Sequence, residues 1–190
     1  FYLLCGGAGG EEDTLTNTRL GSSSTRTTHP HYMRLLQKLI NNLGLEIELV
    51  NPYQFFTKGE MITNCKNGVF LKKMVTKTMS CSHPDQGRYN KETKPSHCGM
   101  CLPCVIRRSA IKSAYGIDRS KYRDKNFKGK KAKIELRSYI VGIIDFKKYK
   151  STIFFKIQNS GPIIEHFDDY VGVYDRGMKE LIQVIDKYNG

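Results

Sequence analysis

The chain has 190 residues, 39% of them hydrophobic, and a formal net charge of +13. This length suits one ordinary domain or a domain with a small appendage, and the hydrophobic content excludes wholesale disorder. No apolar run approaches the roughly 20 residues of a membrane span and no signal peptide is evident, so we expect a cytoplasmic protein without membrane contact.

The first segment, Phe1–Cys5, is apolar and strand-like, and a glycine-rich run follows it. Because the chain does not begin with Met, we expect further residues upstream. A Ser/Thr-rich stretch over residues 11–29 precedes a predicted helix, with Thr28 as its cap and Pro30 in its first turn. Apolar residues at helical spacing extend this helix to Gly44.

A strand is predicted at Leu45–Val50, followed by a turn at Asn51-Pro52. The capping-box pattern Thr57-Lys58-Gly59-Glu60 predicts a helix that starts at Lys58, and a short helix is predicted over Val69–Val75. The order helix, strand, helix, helix suits the flank of an α/β sheet.

The second half of the chain is predicted to be mainly helical. Helical spacing continues from the cysteine segment to Tyr115, recurs over Leu136–Ile144, and describes a long closing helix over Tyr170–Ile185. The segment Thr152–Ile157 is ambiguous between strand and helix.

Four of the six cysteines have the spacing of a zinc site: Cys98, Cys101 and Cys104 lie at successive two-residue gaps, and Cys81 lies upstream. The alternatives are a disulfide framework, an iron–sulfur cluster, a redox Cys-x-x-Cys pair, and a site in which His83 or His97 replaces one cysteine. Four thiolates close the coordination sphere, so such a zinc ion is structural. Cys5 and Cys65 have no partner pattern and are expected to be small buried residues.

Several motifs together resemble the 7-cyano-7-deazaguanine synthase family, QueC. They are Thr78-Met79-Ser80-Cys81, the stretch from Cys98 to Arg107, and Pro52 followed by Thr57-Lys58-Gly59-Glu60. The Ser-Thr-Arg-Thr-Thr-His-Pro run at residues 24–30 and the long gap between Cys81 and Cys98 are similar to a divergent branch, the QueC-like proteins of the Qat anti-phage system (QatC).

The resemblance implies an adenine-nucleotide α-hydrolase-like (PP-loop ATPase) fold, a parallel sheet with flanking helices. Residues 1–118 would form the C-terminal portion of this α/β domain with a zinc region at 78–108, and residues 119–190 a basic, mainly helical extension. The family's phosphate loop, Ser-Gly-Gly-x-Asp-Ser, does not occur in the sequence, and we expect it upstream of Phe1.

The resemblance also implies an activity. An ATP-dependent ligase or synthase, with Mg²⁺, would adenylate a carboxylate of a deazaguanine-type substrate for attack by an amine, and relatives in defence systems would use a protein target. The implied partners are other proteins of the same defence operon. The alternative is a catalytically inactive scaffold that binds such partners or nucleic acid.

Nucleotide or substrate binding is expected at three places. Lys58 at a helix start would bind phosphate, or else be a solvated lysine. Arg107 beside the cysteines would bind phosphate or carboxylate, or else form a structural ion pair. A dense set of donors before the first helix would bind an anionic or purine ligand, or else form a hydroxyl-rich cap and turn: Ser24, Thr25, Arg26, Thr27, Thr28 and His29.

The excess positive charge is densest between Lys121 and Lys150. It agrees with a solvated basic face and with an anionic partner alike. Aromatic residues do not interleave with these lysines in the manner of single-strand binders, so nucleic acid is the weaker of the expected partners.

Overall fold

The computed structural model describes residues 28–188, apart from the side chains of Asn90, Thr152, Asn159 and Ser160. This part of the chain is mainly helical. Its α-helices are α1 (Pro30–Asn42), α2 (Lys58–Thr63), α3 (Gly68–Met74), α4 (Leu102–Tyr115), α5 (Lys130–Lys148), α6 (Ile153–Ser160) and α7 (Phe167–Ile185). Short 3₁₀ segments cover Val75–Lys77, Pro84–Asn90, Lys150–Thr152 and Asp186–Tyr188. None of the helices within residues 28–188 combines the length and apolar character needed to cross a membrane.

The helices predicted from periodicity are confirmed. Helix α1 ends at Asn42, just before Gly44, which has a positive φ of 69°. Its N-cap is His29 rather than the predicted Thr28, because the His29 side chain accepts a hydrogen bond from the His31 backbone N–H at 3.2 Å. Helix α2 begins at Lys58 as predicted, and the ambiguous segment near Ile153 is helical.

The predicted adenine-nucleotide α-hydrolase-like parallel sheet is wrong for the described part of the chain. Between residues 28 and 188 the backbone forms helices and irregular segments, and its one β-type pairing is an isolated parallel bridge between His97 and Tyr122. Residues 45–50, predicted as a strand, form no regular secondary structure and pair with no strand.

A side chain takes the place of a neighbouring strand beside residues 45–50. The Gln37 amide donates to the Ile47 carbonyl at 2.8 Å, and its oxygen accepts from the Leu49 backbone N–H at 2.7 Å. Alternation of apolar and polar residues predicts an extended backbone, but it does not specify which group satisfies the backbone hydrogen bonds.

Replacing Gln37 with alanine is expected to release this segment from α1. Each of the two backbone hydrogen bonds contributes about 1 kcal/mol, so loss of both should accelerate amide exchange at Leu49 about 30-fold. Hydrogen exchange followed by NMR measures this directly. The adjacent exposed Lys38 provides the control: unchanged exchange in Gln37→Ala, or an equal effect of Lys38→Ala, would contradict the assignment.

The chain divides into two compact units. Within the described residues, unit 1 comprises residues 28–57 and Ile144–Met178, and unit 2 comprises Lys58–Ile143 and residues 179–188. Within unit 1 the buried side chains include Phe146, Ile157 and Val173, and within unit 2 they include Val105, Tyr139 and Ile185. The boundary between residues 118 and 119, placed by family resemblance rather than by contacts, stays a prediction.

Candidate functional site

The four cysteines converge from two segments of unit 2. Cys81 lies in the irregular segment after the 3₁₀ turn Val75–Lys77. The other three cysteines belong to the turn Cys98–Cys104, here called the knuckle, which leads into α4. Cys101 is the N-cap of α4, with extended backbone angles, and Cys104 lies in the first turn of the helix. The helix N-terminus therefore faces the sulfurs, where its partial positive charge favours thiolates.

The sulfur positions fit a single tetrahedral ion. All four Sγ atoms lie within 4.8 Å of one another. The Sγ atoms of Cys81 and Cys101 are 3.9 Å apart, and so are those of Cys98 and Cys104. Zinc–sulfur bonds of about 2.3 Å give a tetrahedron with edges of about 3.8 Å. The group therefore has the dimensions of a four-thiolate zinc site, which accords with the predicted ligand set.

The same distances weigh against the alternative readings of the cysteines. All four are free thiols, with sulfurs much farther apart than the roughly 2.05 Å of a disulfide. In a four-iron cluster each thiolate binds a different iron, which spreads the sulfurs more widely than a single ion does. The fifth described cysteine, Cys65, is a free, half-buried thiol, and Cys5 lies outside the described residues.

Backbone amides surround the sulfurs and stabilise their negative charge. The N–H groups of His83 and Cys98 donate to the Cys81 sulfur at 3.3 Å, and that of Cys101 donates to the Cys98 sulfur at 3.3 Å. Gly99 gives the knuckle its turn, with a φ of 85°, and a Cβ there would lie 2.8 Å from the Asp124 carbonyl oxygen. Only glycine fits this position without strain.

Hydrogen bonds among the thiols shift the pKa values of Cys101 and Cys104 in opposite directions. Hydrogen bonds from the thiols of Cys104 and Cys98 lower the pKa of Cys101 to about 3. The same pairing, together with burial, raises the pKa of Cys104. Zinc binding would require all four thiols to lose their protons.

His97 supports the site from beside it. The ring is buried, which lowers its pKa, and its Nε2 lies 3.0 Å from the Thr78 carbonyl oxygen. Because that oxygen only accepts, Nε2 carries the proton in the neutral ring and donates. His97 thereby connects the knuckle to the segment that supplies Cys81, while His83 contributes its backbone N–H.

The segment that contains Arg123 and Asp124 packs against the knuckle. The backbone N–H groups of Arg123 and Asp124 donate to the carbonyls of His97 and Cys98, both at 2.9 Å. The Arg123 guanidinium also donates to three carbonyl oxygens of the loop between Cys81 and Cys98, those of His83, Pro84 and Ser96. This arginine belongs to the basic excess between Lys121 and Lys150, and its role in the structure is to hold this loop in place.

Arg107 and Arg108, neighbours in α4, have different surroundings. Arg107, predicted to bind phosphate or carboxylate, donates to the Thr78 hydroxyl at 2.9 Å and to the Val75 carbonyl. Arg108 is only 2% exposed, donates to the Gly99 carbonyl at 2.8 Å and lies over the rings of Tyr122 and Phe127. Helical periodicity does not predict the burial of Arg108, since charged residues are expected on the exposed face of a helix.

Lys58 begins α2, and α2 packs against α4 within unit 2. The neighbouring Gly59 N–H donates to the Glu180 carboxylate at 3.2 Å. A carboxylate of the protein therefore occupies the helix start where a phosphate was predicted to bind.

The donor set before α1 is described only in part, since Ser24, Thr25, Arg26 and Thr27 lie outside the described residues. His29 is buried as the N-cap of α1, and its ring lies against Gly161. Thr28 lines a cavity of about 320 Å³ that lies entirely within unit 1. The polar residues of this cavity beyond Thr28 were not singled out from the sequence.

Comparison with protein families places residues 26–115 within the model of a family described as Queuosine biosynthesis protein QueC. A search of curated proteins found no match, and a search of solved structures found none. The matched segment, just under half of the chain, contains α1 to α4 and all four clustered cysteines. The match supports the predicted resemblance of this segment to QueC, whereas similarity to the Qat branch stays a prediction.

Proposed function

We propose that the chain is part of a QueC-like, ATP-dependent synthase that activates a carboxylate and transfers its acyl group to an amine. The observation that supports this most is the family match over residues 26–115, which coincides with a four-cysteine group of zinc dimensions. The substrate carboxylate attacks the α-phosphorus of Mg²⁺-bound ATP and pyrophosphate leaves. The amine then attacks the acyl adenylate, loses a proton and displaces AMP.

The zinc ion has a structural role in this proposal. Four thiolates leave no open position for water or substrate, so the ion acts by holding the segment of Cys81 against α4. Since α2 packs on α4, the zinc site also fixes the helix that begins with Lys58. Loss of zinc would therefore reduce activity through folding rather than through chemistry.

The finer elements of the proposal are the substrate and the setting. The motifs favour a deazaguanine-type carboxylate as the acyl donor, with ammonia or the amine of a protein target as the acceptor. They also favour an anti-phage defence operon as the source of partner proteins. Lys58 would contribute its charge to the nucleotide phosphates. The donors Ser24 to His29 would bind an anionic or purine ligand.

The test is release of pyrophosphate and AMP by the full-length protein supplied with Mg²⁺-ATP, a carboxylated deazaguanine and ammonia. We expect one AMP for each pyrophosphate, dependent on the carboxylate. Lys58→Ala should lower the rate about 100-fold, as expected for a lost phosphate-binding charge. Lys66→Ala, an exposed lysine beyond α2, is the matched control. Absence of carboxylate-dependent pyrophosphate would remove the synthase proposal.

A non-catalytic scaffold is the second candidate, favoured by the Glu180 carboxylate at the start of α2. In that case the exposed lysines of α5, such as Lys130, Lys131 and Lys133, would bind an acidic partner protein of the same operon. The complex should weaken as the salt concentration rises. The anti-phage defence that the operon provides should be unchanged when the chain carries Lys58→Ala. Defence lost in Lys58→Ala but kept in Lys66→Ala would favour the enzyme instead.

A further inference from the structure

The cavity of unit 1 has the size and composition of a small-molecule site. Its volume of about 320 Å³ lies within the range of natural ligand pockets. Three segments form its walls: the start of α1, the connection Leu49–Gln54, and Pro162–Tyr170. Apolar groups such as Met33, Leu49 and Ile164 alternate with polar ones, so the cavity suits a ligand with both kinds of surface. The third segment lies beyond the family-matched residues 26–115.

The wall formed by α1 presents hydrogen-bond donors. Arg34 Nη2 lies 3.2 Å from His31 Nδ1. Because a guanidinium only donates, His31 Nδ1 accepts, and the neutral ring therefore carries its proton on Nε2 as a further donor. Among the described residues no carboxylate pairs with Arg34. This wall therefore combines a full positive charge with an imidazole N–H.

The connection between α1 and α2 contributes side-chain amides to the same cavity. Asn51 Oδ1 accepts from the Tyr53 backbone N–H at 3.2 Å, which leaves its amide nitrogen available as a donor. The Gln54 side chain makes no hydrogen bond with another described residue. Both amides line the cavity and have hydrogen-bonding capacity for a ligand.

The wall formed by residues 162–166, just before α7, presents acceptors. His166 Nδ1 lies 3.2 Å from the Asp169 carboxylate, so the neutral ring donates through Nδ1 and offers Nε2 as an acceptor. Glu165 adds a carboxylate that pairs with no cation among the described residues. The rings of Phe55 and Tyr170 pack together at 5.3 Å between centroids, and Tyr170 lines the cavity.

We propose that this cavity binds a guanine nucleoside monophosphate. The phosphate would face Arg34 and the His31 Nε2 proton, since a guanidinium suits phosphate geometry. The N1–H and 2-amino group of the base would donate to Glu165, which accepts through two oxygens. The volume of the cavity exceeds the needs of a free phosphate or an amino acid. Adenine offers a single amino group in place of the two adjacent donors, so it would match Glu165 less well.

Equilibrium binding of GMP to the chain, measured by calorimetry, tests this assignment without any need for ATP turnover. It is therefore separable from the synthase proposal. We expect saturable binding of GMP, with guanosine and ribose 5-phosphate at least tenfold weaker because each lacks one recognised end. Inosine monophosphate, which lacks only the 2-amino group, should also bind less tightly.

Variants separate the two ends of the site. Arg34→Gln should weaken GMP binding about tenfold and leave guanosine unaffected, while Glu165→Gln should remove the preference for GMP over inosine monophosphate. Lys38→Gln, an exposed residue of α1 outside the cavity, is the control and should bind as the parent does.

Three results would overturn the assignment: no saturable GMP binding at millimolar concentration, ribose 5-phosphate binding as tightly as GMP, or equal losses in Arg34→Gln and Lys38→Gln. Circular dichroism on the same samples establishes that each variant is folded. Arg34 and Glu165 are both exposed, so neither substitution removes a buried side chain.

Discussion

Replacing Cys104 with serine is expected to abolish stoichiometric zinc binding and to unfold the cysteine region of unit 2. Cys104 is fully buried, and its sulfur lies 3.9 Å from that of Cys98. A serine hydroxyl remains protonated at neutral pH and is a poor zinc ligand. Structural zinc contributes about 10–16 kcal/mol to the folding of small zinc domains, which is comparable to the whole stability of an ordinary domain.

Elemental analysis and hydrogen exchange measure the two consequences together. The parent chain should contain one zinc per molecule, and the variant should contain none, with fast exchange at the amides of Cys98 and Cys101 that donate to sulfur in the parent. Cys65→Ser is the matched control, because that thiol is half-buried and lies outside the four-cysteine group. Full zinc content in Cys104→Ser would exclude Cys104 as a ligand.

The zinc ligands could be predicted from the sequence because ligand spacing is a local property. Two-residue gaps between Cys98, Cys101 and Cys104 fit the turn that directs thiols at one ion, and the structure brings Cys81 to the remaining corner. The helices could be predicted for a similar reason, since a 3.6-residue period depends on neighbouring residues alone.

The sheet could not be predicted correctly because pairing is not local. Residues 45–50 join no sheet, and Gln37, rather than a neighbouring strand, binds the backbone groups of Ile47 and Leu49. The partner of a buried arginine is equally non-local. Arg108 lies between aromatic rings from residues 122 and 127, beyond the end of its own helix. Likewise, Glu180 reaches the start of α2 from a distant part of the sequence.

Arg108→Ala is expected to destabilise unit 2 far more than Arg107→Ala, although the two residues are adjacent in α4. The Arg108 guanidinium fills the space over Tyr122 and Phe127 and satisfies the Gly99 carbonyl. Its removal leaves a buried acceptor without a donor, at a cost of about 1–3 kcal/mol, and loses two cation–π contacts of about 1 kcal/mol each. We expect a total loss of about 3–5 kcal/mol for Arg108→Ala.

The Arg107 contacts to Thr78 and Val75 lie nearer to solvent, so water replaces them in part, and Arg107→Ala should cost about 1 kcal/mol. Thermal unfolding of both variants, with zinc content held at one per chain, measures the difference. Because the Gly99 carbonyl belongs to the knuckle, Arg108→Ala should also weaken zinc binding about 10–100-fold in a chelator competition, as loss of an outer-shell partner does. Equal losses of stability in the two variants would mean that burial does not distinguish these arginines. An unchanged zinc affinity in Arg108→Ala would mean that the knuckle holds its shape without the guanidinium.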